Sequence, residues 1–495
     1  MEFQFQETGC EFLRGVVCEV LNEEQTQEVR LPEAMPDIGR VLAAWGQPMI
    51  RSKEWRSSGM GASGGVLAWV LYAPEDGSEP RSLEVWLPFQ LRWDFPETQR
   101  DGIMRIDCQL AGMDARSVSA RKLMVRSQIS AWGEALEPAR ETVYQPPQLP
   151  EDIQLLEKTY PVTVPREAGE KTFALDEELS FPADWEQPEK LIRFSLRPEL
   201  VDQKLMGDKA VFRGAALGHA LLRCRDGQLR GWDFEVPFSQ YAELEREYGA
   251  EGIVDVVPAV TNLEMELQEN GTLRLKGGLV GQYLVYDRVP VRVVLDAYSP
   301  KRETKQEIAM LRLPALLDQK RELITAQIPM DPEMGDPVDL AAALSHPALS
   351  REGDKIRMDL TGSIQILGDT PEDTLRGTVK HWEDASQETA QKDVKLCAES
   401  RISGSPRAGG GELRWDVQLR TRFHTEANIP MVCALSAGEE RAPDPQRPSL
   451  ILRRAGDASL WDLAKHCGTT VEAIREANSL SDEILPDRML LIPVP

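Results

Sequence analysis

Most of the chain alternates apolar and polar residues with a period of two, which predicts half-buried β-strands. Gly65 to Tyr72 is rich in residues that favour a pleated surface, and a returning strand, Leu83 to Leu87, ends at Pro88-Phe89. An acidic, glycine-containing turn at residues 75–78 separates the two strands. Two such strands joined by a short Asp-Gly turn predict a β-hairpin.

The same pattern recurs later in the chain. Ala210 to Leu222 is a strand candidate, an Asp-Gly turn follows it, and the returning strand ends at Pro237-Phe238. The two Pro-Phe pairs stand 149 residues apart, the difference between 237 and 88. We interpret this spacing as a diverged internal repeat of domain size. A third, more diverged copy begins near Leu311 and has no Pro-Phe pair.

The segment of residues 449–495 follows a different pattern. A short apolar strand precedes apolar residues at i, i+3, i+4 and i+7, which is one face of a helix, and a second apolar stripe follows. Gly468 ends the first helix, and Thr469 with Glu472 is a capping-box signal for the second. The first helix face is Leu460, Leu463, Ala464 and Cys467, the second helix ends at Asn478 and Ser479, and the strands cover Leu450–Leu452 and Met489–Ile492. The predicted order is strand, helix, helix, strand.

Length and charge narrow the class of protein. At 495 residues the chain exceeds the size at which one core stops growing, about 250–300 residues, so several domains are expected. A hydrophobic content of 41% is that of a globular protein. The net charge of −24 argues against binding to nucleic acid or to anionic lipid, because both need a basic surface. We interpret the acidic balance as keeping a cytosolic protein soluble.

The first residues and the cysteines indicate a cytoplasmic protein. Residues 1–18 carry acidic side chains and no basic region followed by an apolar core, so they do not resemble a signal peptide. The sequence contains no run of about 18 apolar residues, the length that a membrane-spanning helix requires. The seven cysteines are scattered without Cys-x-x-Cys spacing, and we expect them to be small, reduced core residues.

The sequence contains few candidates for catalysis. Gly61-Ala62-Ser63-Gly64-Gly65 fits the Gly-x-Ser-x-Gly nucleophile motif, which requires a strand before the serine and a helix after it. Here a loop-like stretch precedes the motif and a strand follows it, so a flexible loop is predicted. We expect structural roles for the histidines, none of which has metal-site spacing: His219, His346, His381, His424 and His466. No catalytic residue, no metal ligand and no cofactor are predicted.

The C-terminal pattern resembles a LysM module over its whole length, because Gly456-Asp457 precedes Leu460-Trp461 and the chain closes on a Leu-x-Ile-Pro stretch. Where the family usually runs Gly-Asp-Thr-Leu-Trp, this chain has Gly-Asp-Ala-Ser-Leu-Trp. In sugar-binding LysM domains this first loop and the loop after the second helix, here residues 479–485, form the groove for N-acetylglucosamine. Trp461 is either a core residue or a docking anchor, since tryptophan is enriched in binding hot spots. The resemblance implies ligand or partner contacts at Gly456, Asp457, Ala458, Ser459, Trp461, Asn478, Ser479, Leu480, Ile484 and Leu485.

The β-rich segments resemble the SPOCS domain family, which occurs beside a C-terminal LysM module in SipL-like spore-coat morphogenesis proteins. The stretches that carry the resemblance are Leu31–Ile38, Tyr72–Phe89, Phe234–Phe238 and Leu279–Tyr283. We therefore predict a multidomain, mainly β protein in which tandem SPOCS-like domains precede a small βααβ LysM domain. The predicted division is 1–150, 151–310 and 311–436 for three β-rich domains, 437–448 for a linker and 449–495 for the LysM domain.

The expected function is that of a non-enzymatic scaffold. The resemblance to SipL-like proteins implies that the LysM module docks on the ATP-hydrolysing basement-layer protein of the spore coat, in the cytoplasm on the mother-cell side of the forespore. The alternative is a carbohydrate-binding protein whose LysM module binds N-acetylglucosamine in peptidoglycan or chitin. An enzyme is the third hypothesis, and no sequence feature argues for it. Neither a nucleic acid partner nor membrane insertion is expected.

Overall fold

A computed structural model describes residues 1–98, 100–330, 337–352, 355–368, 393–442, 447–454, 459–480 and 489–494, and the backbone alone of residues 374–384. Within these residues the chain is mainly β, with 22 strands and two short helices. Neither helix has the length and the apolar character of a membrane span. The mainly β fold with a small βααβ module at its C-terminal end is confirmed.

Three consecutive groups of strands, here called units 1, 2 and 3, form the body of the protein. Unit 1 contains β2 (Gln6–Arg30), β3 (Ile38–Arg56), β4 (Gly59–Pro74), β5 (Arg81–Asp94), β6 (Ile103–Ser119) and β7 (Lys122–Gln145). Unit 2 contains β8 (Gln154–Ser180), β9 (Pro188–Met206), β10 (Lys209–Cys224), β11 (Leu229–Glu243), β12 (Ile253–Leu267) and β13 (Thr272–Tyr298). Unit 3 contains β14 (Arg302–Pro329), β15 (Asp339–Leu344), β16 (Ala348–Glu352), β17 (Lys355–Leu367), β18 (Thr374–Asp384), β19 (Lys395–Gly409) and β20 (Glu412–Glu440). Strand β1 (Glu2–Gln4) precedes unit 1, and β21 (Leu450–Arg454), α1 (Leu460–Cys467), α2 (Val471–Asn478) and β22 (Met489–Pro493) form the C-terminal module.

Each unit folds into two antiparallel sheets, and the strand order recurs from unit to unit. In the long sheet the last strand of the unit lies in the middle, in the orders β2-β7-β6, β8-β13-β12 and β14-β20-β19. The short sheets have the orders β3-β4-β5 and β9-β10-β11, and in unit 3 β17 pairs with β15, β16 and β18. This recurrence is the structural form of the internal repeat.

The two Pro-Phe pairs occupy equivalent positions in the short sheets. Phe89 of β5 lies opposite Gly64, and Phe238 of β11 lies opposite Gly214. Both strands continue beyond the pair, so the prediction that Pro-Phe closes a strand was wrong. β5 and β11 are edge strands, where the missing N–H of proline is tolerated.

The glycine-rich motif around Ser63 lies inside strand β4, and the predicted flexible loop was wrong. β4 pairs with β3 on one side and with β5 on the other, and Ser63 Oγ lies 2.7 Å from Ser52 Oγ. A Cβ atom at Gly64 would lie 2.0 Å from the carbonyl oxygen of Met49, so the backbone itself requires glycine there. The motif therefore lacks the strand-turn-helix geometry of a nucleophile elbow.

The three long antiparallel strand pairs, β2/β7, β8/β13 and β14/β20, pack against one another. A single apolar cluster takes residues from all six strands, among them Phe12, Val143, Val164, Val293, Leu311 and Met431. Burial of each such side chain contributes about 1.5–3 kcal/mol relative to leaving it exposed. The three units therefore share a core in addition to the clusters within each unit.

Buried charges also connect the three units. Arg105 of unit 1 donates to Asp255 of unit 2 at 2.7 Å and to Glu134 at 2.8 Å. Arg420 of unit 3 also donates to Asp255, and it pairs with Glu399 at 2.9 Å. Burial raises the pKa of Asp255, but the guanidinium groups of Arg420 and Arg105 outweigh it and hold the pKa far below its ordinary value.

A disulfide links Cys18 in β2 of unit 1 to Cys397 in β19 of unit 3, across a sequence separation of 379 residues. The prediction that all cysteines are reduced was wrong for this pair, because the fold brings together strands whose proximity the spacing along the chain does not reveal. Glu134 lies beside the two sulfur atoms. Arg422 donates to Cys397 Sγ at 3.2 Å and pairs with Glu134 at 3.0 Å, a cationic environment that does not suit a metal ion.

The predicted domain limits can be located on these strands. β14 begins at Arg302 and β20 ends at Glu440, so the limits at 310/311 and 436/437 fall within strands. β1 pairs with β20, with Phe3 opposite Leu435, and thereby joins the first residues of the chain to unit 3. The division of the chain into separate domains stays a prediction.

Candidate functional site

Helix α1 of the C-terminal module begins and ends where its sequence predicts. Ser459 Oγ accepts a hydrogen bond from the Asp462 N–H at 3.1 Å, and the Asp462 carboxylate accepts one from the Ser459 N–H at 3.3 Å. This reciprocal pair is a capping box, which satisfies two N–H groups at the start of the helix. Gly468 ends the helix with a φ of 62°, the left-handed conformation that glycine adopts without strain.

Helix α2 is capped by Thr470. Its Oγ1 accepts a hydrogen bond from the Ala473 N–H at 3.1 Å, so the capping box predicted for Thr469 and Glu472 was wrong by one residue. Thr469 is instead buried, and its N–H donates to the Ala464 carbonyl in the last turn of α1 at 3.0 Å. Ser479 ends α2 with a φ of 52°, as the sequence predicts for the end of this helix.

The module has a small apolar core of its own. Buried residues from both helices and from β22 meet there, together with one residue of unit 2: Leu460, Leu463, Ala464, Cys467, Ile474, Leu490, Ile492 and Tyr298. The helix face predicted for α1 is confirmed. Asn478 ties α2 to β22, because its Oδ1 accepts from the Leu491 N–H at 2.8 Å and its Nδ2 donates to the Leu491 carbonyl at 2.5 Å.

Two residues at the end of β13 hold the module on the body. Tyr298 is 3% exposed, its hydroxyl donates to the Thr469 carbonyl at 2.8 Å, and its ring meets Trp461 edge-on with centroids 4.8 Å apart. Asp296 accepts hydrogen bonds from Trp461 Nε1 and from Lys465 Nζ, both at 2.7 Å. Trp461 thus packs on the core of the module and also contacts the body of the same chain.

Asp296 is the electrostatic centre of this contact. It also accepts a hydrogen bond from Gln306 Nε2 at 2.8 Å. Burial raises the pKa of Asp296, but the hydrogen bonds from Lys465, Trp461 and Gln306 outweigh it and hold the pKa below its ordinary value. The carboxylate is thus charged at neutral pH and remains matched to Lys465.

The predicted contact residues divide into two groups. Gly456, Asp457, Ala458, Ile484 and Leu485 lie outside the described residues. Of the others, Ser459 caps α1, Trp461 contacts the body, Asn478 joins α2 to β22, Leu480 packs on the module core and Ser479 is exposed. Whether these residues bind a ligand stays a prediction.

The C-terminal module matches a known domain family. Residues 454–493 match the LysM domain. LysM domains are in general modules that bind peptidoglycan or chitin. No curated protein and no solved structure matches the chain at a significant level. The match covers the LysM module alone, so the resemblance of the three units to SPOCS domains stays a prediction.

The sequence did not identify Asp296 and Tyr298 as the residues of the body that contact the LysM module. Asp296 lies 165 residues before Trp461, and Tyr298 lies 171 residues before Thr469. The available signal was an acidic and an aromatic residue at the end of a strand candidate. Such residues do not by themselves identify the surface that they contact.

Proposed function

We propose that the protein is a non-enzymatic adaptor that binds a polymer of N-acetylglucosamine, peptidoglycan or chitin, through its LysM module. The observation that carries the proposal is the match of residues 454–493 to the LysM domain. The strand order, the helix caps and the apolar core of the module support it. The three-unit body holds the module in one orientation through Asp296 and Tyr298.

The contact with the body is compatible with ligand binding. The face of α1 that carries Trp461 and Lys465 is occupied by the body, whereas Ser479, at the start of the loop after α2, is exposed. In sugar-binding LysM domains the loop after the second helix forms one wall of the groove. The exposed Ser479 leaves the start of this loop accessible to a glycan while the module is docked.

The Cys18–Cys397 disulfide favours the glycan over a cytosolic partner. Disulfides persist in oxidising compartments and are rare in the cytosol. Peptidoglycan and chitin lie outside the cytoplasmic membrane, where such a bond is maintained. The cytoplasmic location expected from the sequence stays a prediction, and the oxidation state of this pair in cells tests it.

Cosedimentation of the full chain with purified peptidoglycan and with chitin beads tests the proposal. We expect saturable binding that a soluble chitin hexamer competes away and that cellohexaose, a glucose polymer without acetamido groups, leaves unchanged. Failure of the full chain to bind either polymer would refute the proposal.

A chain that ends at residue 448 is the control for the role of the LysM module. Among the described residues, the apolar clusters of the body contain no side chain from the module, so we expect the shortened chain to keep its fold. Circular dichroism checks this expectation. Glycan binding that survives in the shortened, folded chain would assign the site to the body instead.

A protein partner is the second candidate, and the changed first loop favours it. Gly456–Trp461 is one residue longer than the usual Gly-Asp-Thr-Leu-Trp stretch of LysM domains. By the resemblance to SipL-like proteins, the partner is the ATP-hydrolysing basement-layer protein of the spore coat. Binding of that purified protein to the full chain, lost in the chain ending at residue 448, would support this candidate if glycan binding is absent.

A further inference from the structure

A cavity of about 390 Å³ lies where the three units meet. The strands that line it are β3, β4 and β6 of unit 1, β9 to β12 of unit 2, and β15, β17 and β19 of unit 3. Its volume falls within the range of small-molecule sites, about 300–1,000 Å³. No described residue of the LysM module lines this cavity, so it is distinct from the predicted glycan groove.

One side of the cavity wall consists of paired charges. Arg193 donates to both carboxylate oxygens of Asp339, at 2.6 and 2.8 Å. His219 lies between Asp233, at 2.6 Å from Nδ1, and Asp339, at 2.9 Å from Nε2. Burial and Arg193 lower the pKa of His219, but its hydrogen bonds to the two aspartates outweigh them and raise it. These four side chains form one network of paired charges.

Three other side chains on the wall have N–H groups without a hydrogen-bond acceptor in the part of the chain that the structure describes. They are Trp45 at Nε1, Arg197 at Nε and Arg401 at both Nε and Nη2, and Trp45 is only 3% exposed. The Nη2 of Arg197 donates to the Gly404 carbonyl at 2.5 Å, and the Nη2 of Arg401 lies 3.0 Å from Asp107. Both guanidinium groups are thus held in place by one end and keep the Nε–H free.

Buried donors without an acceptor are unfavourable by about 1–3 kcal/mol each, and more for charged groups. Folded proteins therefore rarely retain several of them in one place without a function. Guanidinium groups are well suited to carboxylate and phosphate oxygens. Apolar side chains, among them Met113, Leu196 and Val260, line the same cavity and suit the organic part of a ligand.

We propose that this cavity binds a small organic anion, with Arg197 and Arg401 donating to its carboxylate or phosphate group. The indole N–H of Trp45 provides a third hydrogen bond to an oxygen of the ligand. Because residues of all three units form the site, a bound anion also crosslinks them. The inference is independent of the glycan proposal, since the two sites share no residue.

Isothermal titration of the full chain with phenyl phosphate and with benzoate tests the proposal. Benzyl alcohol, which has the same ring and no charge, is the matched ligand. We expect saturable binding of at least one anion and none of benzyl alcohol. Arg197→Lys and Arg401→Lys keep the charge and lose the Nε–H, so each lowers the affinity about tenfold or more.

Arg213→Gln is the control variant, because the side chain of Arg213 in β10 is 64% exposed. This variant should bind the anion with the affinity of the wild type. Absence of saturable binding of either anion overturns the proposal, as does equal binding of benzyl alcohol. Unchanged affinity in both lysine variants overturns the assignment of the site. If a lysine variant does not fold, Trp45→Phe, which removes only the indole N–H, is measured in its place with the same expected direction.

Discussion

Replacement of Asp296 by alanine tests how the LysM module is held on the body. Asp296 accepts hydrogen bonds from Trp461 Nε1 and Lys465 Nζ at 2.7 Å. Lys465 is 43% exposed, so its screened ion pair contributes at most about 1 kcal/mol. The bond from the half-buried indole to a charged acceptor contributes about 1.5–3 kcal/mol. We therefore expect Asp296→Ala to weaken the docking of the module by about 2–4 kcal/mol.

Differential scanning calorimetry measures this loss. In small domains 1 kcal/mol shifts the Tm by about 4–8 °C, so the module of the variant should unfold roughly 10–30 °C below the wild-type transition and separately from the body. Asp176→Ala is the matched control, because Asp176 forms an exposed ion pair with Arg274 on unit 2 and should leave the trace unchanged. A single, unshifted transition in Asp296→Ala would show that this contact does not hold the module.

Three further results are expected elsewhere in the chain. Thiol titration of the unfolded, unreduced protein should find five thiols, because Cys18 and Cys397 are joined, and a count of seven would contradict the disulfide. Reduction of the disulfide should lower the free energy of unfolding, measured in urea, by about 2–5 kcal/mol. Gly64→Ala should lower the free energy of unfolding by about 1–3 kcal/mol, since the added Cβ would lie 2.0 Å from a backbone oxygen. The control Gly61→Ala, whose Cβ would have its nearest contact at 3.5 Å, should leave the free energy of unfolding nearly unchanged in the same urea assay. Burial lowers the pKa of His424 from 6.5 to about 4, so the stability that this residue contributes is present above pH 6.5 and is lost as the pH falls toward 4. His424→Gln should remove up to about 3 kcal/mol of this pH dependence of the free energy of unfolding. An unchanged pH profile in the variant would refute the role of His424.

The LysM module could be predicted from the sequence because its signals are local. The apolar face of α1, the stop at Gly468 and the closing strand lie within one short segment, and each follows from helix periodicity or from a turn residue. The error of one residue at Thr470 arose because Thr469 and Thr470 both suit an N-cap. Only the fold shows that Thr469 is buried against Tyr298.

The contacts between units could not be predicted in this way. A period of two shows that one face of a strand is buried, but it does not identify the strand that covers it. Arg105 and Asp255 look like solvated charges in the sequence, yet both are buried and paired across 150 residues. The cavity depends on the same kind of contact, because Arg197 and Arg401 come from different units.

Asp255 links the stability of the three units, because arginines of the other two units pair with its carboxylate. This carboxylate of unit 2 is neutralised by arginines of units 1 and 3, so its buried charge is balanced by the other two units. Loss of one partner from such a pair costs about 3–5 kcal/mol, a large share of the 5–15 kcal/mol that typically stabilises a domain. We therefore expect the three units to unfold together, and a body shortened by one unit to be strongly destabilised. The LysM module is held at Asp296 and Tyr298, and we expect that a different binding module that matches these two residues could take its place.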